Sequence, residues 1–384
     1  MKVYFDNAAT TPLHPKVLEK MIPFLSENFG NASSVHSFGR TARVAIENAR
    51  EVVADFINAD PGEIYFTSGG TESNNFIING ISKAEFKESK KNILISSKAE
   101  HHSILDSLKI LNEAPISCNF IEVDKNTIIK LDPFYKSIND QTSLVSLIHV
   151  NNETGSINPI RSIGEELKQK NIFFHTDAVQ SVGKIPIDVK KLKVDALSGS
   201  AHKINGPKGT GFAFVKSGTP IDPLLIGGSQ ERNRRGGTEN VAGIAGLAEA
   251  INIRKENMEE YYQHVTLLRN KFIDGLKAID SHNIFINGGE NTSPYILSIT
   301  FNSEFYKNDS EAMLMFLDIN GIAVSNGSAC TSGTINISHV LLASGYKEQD
   351  ALGTIRISFG WQNNFEEVDY ALDVFKKFTA KFKK

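Results

Sequence analysis

Between Ile64 and Val215, short apolar runs alternate with polar clusters and with stretches of helical periodicity; no other feature restricts the fold as much. Ile64-Tyr-Phe66 leads into Thr67-Ser-Gly-Gly-Thr-Glu-Ser73 and a helix through Ile81. Asn92-Ile-Leu-Ile-Ser96 leads into Ala99-Glu-His-His-Ser103 and a helix through Leu111, and a strand over Ile116–Val123 follows. Ser143–Val150 is nearly continuous in apolar residues, as a strand buried on both faces should be, and ends at Asn151-Asn-Glu-Thr-Gly155. A helix near Ile160–Gln169 and the strand Ile172-Phe-Phe-His175 close on Thr176-Asp177. This order predicts an α/β fold, a mostly parallel sheet covered by helices on both faces. Ligands of such sheets sit at the carboxyl ends of the strands, where Thr71, His101, Asn152, Asp177 and Lys203 all fall.

The stretch Asp195–Phe214 carries the last of these residues. Its apolar start reads as a strand, it turns small and polar from Ser198 to His202, and it breaks at Gly206-Pro207 after Lys203. A lysine in a turn just past a strand end can project into a cleft, although most lysines are simply solvated. At a sheet's carboxyl edge it can also form a Schiff base with an aldehyde cofactor. Pyridoxal phosphate asks a protein for such a lysine, for an acid beside its ring nitrogen and for donors to its phosphate. Asp177 can supply the acid and Gln180, three residues on, can reach the ring hydroxyl. Ser68-Gly-Gly-Thr71 opens a helix after a strand, which suits a phosphate, with Ser200 and His202 as further donors. Taken singly, each has an ordinary explanation: Asp177 as a helix N-cap, Gly69-Gly70 as a plain turn, His202 as a surface histidine.

Outside this core the chain predicts a helix over Pro15–Asn28, a loop over Gly30–Gly39 and a helix over Arg40–Asn58. After a strand at Gly209–Val215, the loop Gly227–Asn240 carries four glycines and three arginines. A long helix over about Glu239–Ile279 crosses into the last third. There a strand at Tyr295–Phe301, a helix at Asp309–Asn320, a strand at Thr354–Phe359 and a helix from Phe365 suggest a smaller α+β domain. At 384 residues two domains are expected: residues 12–257, and residues 258–384 together with 1–11. The basic end Lys376–Lys384 reads as a solvated tail. A formal net charge of -3 gives no general pull toward nucleic acid or anionic membrane, and no run approaches a membrane span, so a cytoplasmic protein is expected. The two cysteines, Cys118 and Cys330, exclude a disulfide framework and an all-cysteine metal site. No metal site is expected. Cys118 reads as a strand residue without catalytic consequence, whereas Cys330 lies in Ser325–Thr334, a run of small residues with no apolar periodicity.

Together these residues resemble the cysteine desulfurases of the class V aminotransferase group, fold-type I pyridoxal-phosphate enzymes of the nitrogen-fixation and iron–sulfur-assembly type. The resemblance runs from Tyr4–Thr10 to Arg356–Gly360. Its most specific blocks are Phe66–Ser73, Glu100-His101, His149–Glu153, His175–Gln180, Ser200–Lys203, Gly237–Asn240 and Ser328–Ser332. It implies that Lys203 holds the cofactor and moves the substrate's α proton, with Asp177 at the ring nitrogen, Gln180 at the ring hydroxyl and His101 stacked on the ring. Ser200, His202, Gly70, Thr71 and Thr238 would bind phosphate, Thr238 from a partner subunit, so a homodimer is implied. Asn152 and Arg356, helped by Asn31, would take the substrate carboxylate; an arginine can grip it in bidentate fashion. Cys330 would accept sulfur from L-cysteine as a persulfide, releasing L-alanine, for transfer to an acceptor protein in iron–sulfur cluster assembly or tRNA thiolation.

Gly70 and Ser229 depart from the family's usual residues, a larger small side chain and a third glycine, and both changes should be tolerated. The chain stops at Lys384 soon after its last helix, where iron–sulfur-assembly members often continue into a scaffold-docking tail, so the acceptor stays open. Two alternatives stay open as well. One is a selenocysteine lyase or another class V enzyme. The other is a non-enzymatic nucleotide-binding protein on a doubly wound sheet, although no Gly-x-Gly-x-x-Gly follows the first strand.

Overall fold

The structure is a computed structural model and describes residues 1–112, 115–327 and 337–384. Its strands in chain order are β1 (Val3–Tyr4), β2 (Ile64–Thr67), β3 (Ile93–Ser97), β4 (Ser117–Ile121), β5 (Thr142–Ile148), β6 (Phe173–Asp177), β7 (Ala196–Ser200), β8 (Gly211–Val215), β9 (Ile284–Ile286), β10 (Ile296–Phe301), β11 (Ile322–Ala323) and β12 (Thr354–Ser358). Seven form a central sheet in the order β2-β8-β7-β6-β5-β3-β4. β8 runs antiparallel to both its neighbours and every other pairing is parallel, which makes the sheet mixed but mostly parallel.

Helices cover both faces, as the apolar runs require. β5 is buried along its whole length. On one face the sheet packs against the helices Ser37–Ile57 and Ile160–Gln169, through Ile46, Val53, Ile163 and Leu167. On the other it meets the helices Gly70–Ser89 and His102–Leu111, through Phe76, Ile77, Ile81, Ile104 and Leu108. The turn between β2 and the helix Gly70–Ser89 lies hard against β8. A Cβ at Gly211 would meet Gly69 Cα at 2.6 Å, so a glycine is needed there.

A second core joins Val3 and Phe5 to the antiparallel sheet β12-β10-β9 and to the helix Phe365–Phe382. The 40-residue helix Val241–Asp280 contributes to both cores; its buried residues run from Ala242 to Arg254 and resume at Val265. The basic end departs from the expected tail, because the last helix continues to Phe382 and buries Phe375, Phe378 and Phe382. These three recur at helical spacing on one face, and the lysines between them point outward. Lys381 Nζ lies 5.0 Å from the ring centroid of Phe316. Among the described residues no helix is long and apolar enough to cross a membrane.

Candidate active site

β7 ends at Ser200 and passes into a single 3-10 turn, Ala201–Lys203, that turns the lysine toward the carboxyl edge of the sheet. Lys203 Nζ donates to the carbonyls of Ala8 at 2.6 Å and Ala9 at 2.7 Å. Both belong to the segment after β1, so the amino terminus forms part of the cleft. One strand over, Asp177 closes β6 and is 3% exposed. Its Oδ1 accepts from the backbone N–H of Val179 at 3.0 Å and its Oδ2 from Asn74 Nδ2 at 2.8 Å. His101, after β3, caps the helix His102–Leu111: its Nδ1 accepts from Ser103 N at 3.1 Å and lies 2.8 Å from Ser103 Oγ.

Ten of the residues expected to form a site line one cavity of about 270 Å³: Gly70, Thr71, His101, Asn152, Asp177, Gln180, Ser200, His202, Lys203 and Arg356. Arg356 arrives on β12 from the second core and is 2% exposed. Its Nη1 donates to the carbonyls of Asn152 at 2.9 Å and Gly327 at 2.6 Å, and its Nη2 to Asp6 Oδ1 at 3.0 Å. Among the described residues, Arg356 Nε and Asn152 Oδ1 are buried without a partner. At the opposite end Gly70, Thr71, Ser200 and His202 also line an adjoining cavity with Lys208. There Ser200 Oγ is buried without a partner, and the helix Gly70–Ser89 begins with no side-chain cap. A Cβ at Gly70 would meet Val179 Cγ2 at 2.6 Å, so a larger residue requires Val179 to move; the tolerance expected for this glycine depends on that side chain.

Two of the expected residues that are described, Thr238 and Asn31, are not in the cavity. Thr238 is exposed and lines a separate pocket with Ser68, Gly209 and Arg235. Asn31 is exposed in the loop before the helix Ser37–Ile57, and its Oδ1 accepts from Ser33 N at 2.8 Å. Cys330 lies outside the described residues. Cys118 is on β4, its Sγ donates to the carbonyl of Leu108 at 3.4 Å, and burial pushes its thiol up to about 11.

Burial dominates the electrostatics of the cleft. It lowers the His101 imidazole; Asp177 opposes this, while Lys203, His102 and His339 add to it. His202 is pushed down to about 4, by burial first and then by Lys203, Lys208 and Lys184. Two titratable groups here escaped sequence reasoning. Lys184 is 3% exposed, and its Nζ donates to Gln180 Oε1 at 2.7 Å. Burial, with Lys203, Arg254 and Arg356, holds it well below the usual lysine range. Glu100 is fully buried and pushed up to about 8 by that burial. Asn74 and the Ala8 and Ala9 carbonyls were missed too. Asn74 lies three residues after Thr71, on a helix that starts at Gly70, and that spacing could have found it. Backbone carbonyls leave no mark in a sequence.

A lysine, a buried carboxylate and a histidine from the ends of strands thus converge with a buried arginine from the middle of β12, a set suited to Schiff-base chemistry on an amino acid. Comparison with known proteins agrees. The family model for class-V aminotransferases matches residues 3–371. A cysteine desulfurase IscS from Clostridium botulinum is 44% identical over 376 residues, covering 98% of this chain and 94% of the relative. A putative cysteine desulfurase from Bacillus subtilis is also 44% identical, over 98% of this chain and all of its own. Among solved structures, a NifS-like protein superposes with a TM-score of 0.91 at 38% identity over the whole of both chains. The chain therefore belongs to the class-V aminotransferase family, whose enzymes depend on pyridoxal phosphate. Within that family it is a cysteine desulfurase.

Proposed function

We propose that the protein binds pyridoxal phosphate in this cavity and converts L-cysteine to L-alanine, leaving the sulfur on Cys330 as a persulfide. The meeting of Lys203, Asp177 and Arg356 in one cavity carries this reading. The residues present fit the cofactor. Asp177 is a buried acceptor, Ser200 Oγ is a buried hydroxyl without a partner, and the uncapped helix start at Gly70-Thr71 presents backbone donors. When bound, the cofactor supplies an aldehyde for a lysine amine and a ring that draws electrons from the substrate's α carbon.

Lys203 would leave the Ala8 and Ala9 carbonyls to hold the cofactor and, once the substrate's amino group has taken its place and freed the lysine amine, would move the substrate's α proton at Nζ. Asp177 pairs with the ring nitrogen. Gln180 offers the ring hydroxyl the Nε2 hydrogen not used on the Ala8 carbonyl, its amide orientation fixed by Lys184. His101, on the wall of the cavity, would stack on the ring and assist proton transfer. Ser200, His202, Gly70 and Thr71 hold the phosphate. Arg356 Nε and Asn152, with Asn31, take the substrate carboxylate. Cys330 accepts the substrate's sulfur as its own S–S bond forms and the substrate's C–S bond breaks, and alanine leaves with a proton on its β carbon.

The functional unit is proposed to be a cytoplasmic homodimer in which Thr238 reaches the partner's phosphate site. Neighbours of Asn31 and Thr238 support this: Ala32 and Ser33 share a polar cavity with Glu231 and Glu239, which places both loops on one face. Exposed apolar residues lie on the same segments, among them Leu25 at 65%, Phe29 at 71% and Ile226 at 92%. Residues 12–257 are read as the cofactor domain, and 258–384 with 1–11 as a smaller domain carrying Cys330. The persulfide would pass to an acceptor protein, an iron–sulfur scaffold or a tRNA-thiolation protein.

With a thiol reductant the purified protein should release sulfide and alanine from L-cysteine. Cys330→Ala should keep the visible cofactor band and lose sulfide release. Lys203→Ala should lose about 10²- to 10⁴-fold in rate. Undiminished sulfide release by Cys330→Ala overturns the reading.

A further inference from the structure

We propose that Asn74 and Ser103 are positioning residues that link Asp177 to His101 and hold the histidine's ring proton on Nε2, the nitrogen left to the cavity. The inference rests on the reading of Asp177 and His101 as residues of the cofactor site, but its geometry belongs to the chain alone. An ionised carboxylate only accepts hydrogen bonds, so Asp177 Oδ2 fixes which end of the Asn74 amide faces it: the NH2 group, at 2.8 Å. The other hydrogen of that NH2 group goes to Ser103 Oγ, also at 2.8 Å. A hydroxyl that accepts from Asn74 still has one hydrogen to place. Its remaining partner within reach is His101 Nδ1, at 2.8 Å.

His101 Nδ1 also receives the backbone N–H of Ser103, at 3.1 Å, because His101 caps the helix that begins at His102. A ring nitrogen toward which two hydrogens point carries a lone pair, and the proton of the neutral imidazole sits on the other nitrogen. The chain of bonds is shielded from water: Asn74 is 1% exposed, Asp177 3% and Ser103 8%. Asp177 fixes the Asn74 amide, the amide fixes the direction of the Ser103 hydroxyl, and that hydroxyl is left to donate to His101, so the carboxylate sets the histidine through three hydrogen bonds. Charging His101 would require a hydrogen on Nδ1, where two donors already point. That is a second reason, besides burial and the nearby Lys203, His102 and His339, for the ring to stay neutral. His101 therefore meets a ligand as a neutral N–H donor.

The test is nitrogen-15 NMR of the full-length protein labelled in its histidines, with and without added pyridoxal phosphate, His101→Gln assigning the signals. The expected wild-type state is an unprotonated Nδ1 and a protonated Nε2. Asn74→Leu should raise the Nδ1–H population by about three- to tenfold, the ratio that the loss of one such hydrogen bond produces. Ser103→Ala should act in the same direction and Ser103→Thr should restore the wild-type ratio, a pattern that mere loss of packing would not give. If Asn74→Leu does not fold, the two Ser103 variants decide. A protonated Nδ1 in the wild type, or an unchanged ratio in Asn74→Leu and Ser103→Ala, overturns the proposal. Because the ring itself is observed, this failure is distinct from a failure to release sulfide from cysteine.

Discussion

The inner wall of the cleft, from Asp177 to His101, and its outer rim, from Asn31 to Thr238, differ in what completes them. On the inner wall the side chains are buried and bonded to one another. Asn74 joins Asp177 to Ser103, and Gln180 joins Lys184 to the segment at Ala8. On the rim Asn31 bonds only within its own loop, to Ser33, and both Asn31 and Thr238 are exposed. The inner wall is set by the fold before any ligand arrives, since low dielectric makes satisfied networks rigid and unsatisfied ones costly. The rim has no such constraint and is free to be completed by a second copy.

Arg356 lies between the two, and it tests the comparison hardest. It is as buried as the inner wall, with three hydrogen bonds on one side, yet its Nε is unpartnered. A lysine can replace the charge but not the planar fork. Arg356→Lys should raise KM for L-cysteine roughly 10- to 100-fold with a much smaller change in kcat, the loss of a charged hydrogen bond made equally in ground and transition states. Steady-state kinetics on the folded variant decide. A fall in kcat at constant KM would instead class Arg356 with the inner wall, as a holder of Asp6 and Gly327.

On the rim the effect should be smaller and should depend on assembly. Thr238→Ala should weaken pyridoxal phosphate binding by roughly tenfold, the lower end for one hydrogen bond to a charged group, in an absorbance titration. The loss should vanish when both proteins are diluted to monomers, as followed by sedimentation. A loss that persists in the monomer would mean that Thr238 serves its own chain, and the distinction between wall and rim would lapse.

How much of this was legible follows the same division. The positions of Asp177, His101 and Lys203 could be read because each stands in a polar cluster directly after an apolar run, and the parallel sheet brings those run ends together. Asn74 could not be given its role: its partners are 29 and 103 residues away, and only the packing of the helix Gly70–Ser89 on the sheet brings them within 2.8 Å. Lys184 was passed over for a similar reason, because a lysine four residues after Gln180 reads as solvated until the fold buries it. At the carboxyl terminus the error was one of weighting. The stripe Phe375, Phe378, Phe382 was present in the sequence, but the lysines between them drew the reading toward a tail. Cys330, on which sulfur transfer depends in the proposed function, lies outside the described residues, and its role rests on the family blocks around it.

The pH dependence of stability tests the inner wall itself. Glu100 is fully buried beside His101; its Oε1 accepts from Ser97 Oγ at 2.6 Å and its Oε2 has no partner. Burial pushes its carboxyl from 4.5 up to about 8, with Asp177 adding to the rise and the donors at Ser97 and Ile148 opposing it. Below pH 4.5 the group is protonated in both folded and unfolded chains and the shift costs nothing. Between pH 4.5 and about 8 the unfolded chain releases the proton while the folded one keeps it, so stability falls as pH rises through that window. Glu100→Gln has nearly the same shape and cannot titrate. Its melting temperature should match the wild type near pH 4.5 and exceed it by a margin that grows toward pH 8. A difference that stays constant across the window would mean that Glu100 is ionised in the folded protein. The inner wall would then contain a buried charge beside Asp177, and its hydrogen bonds would have to be redrawn from that charge outward.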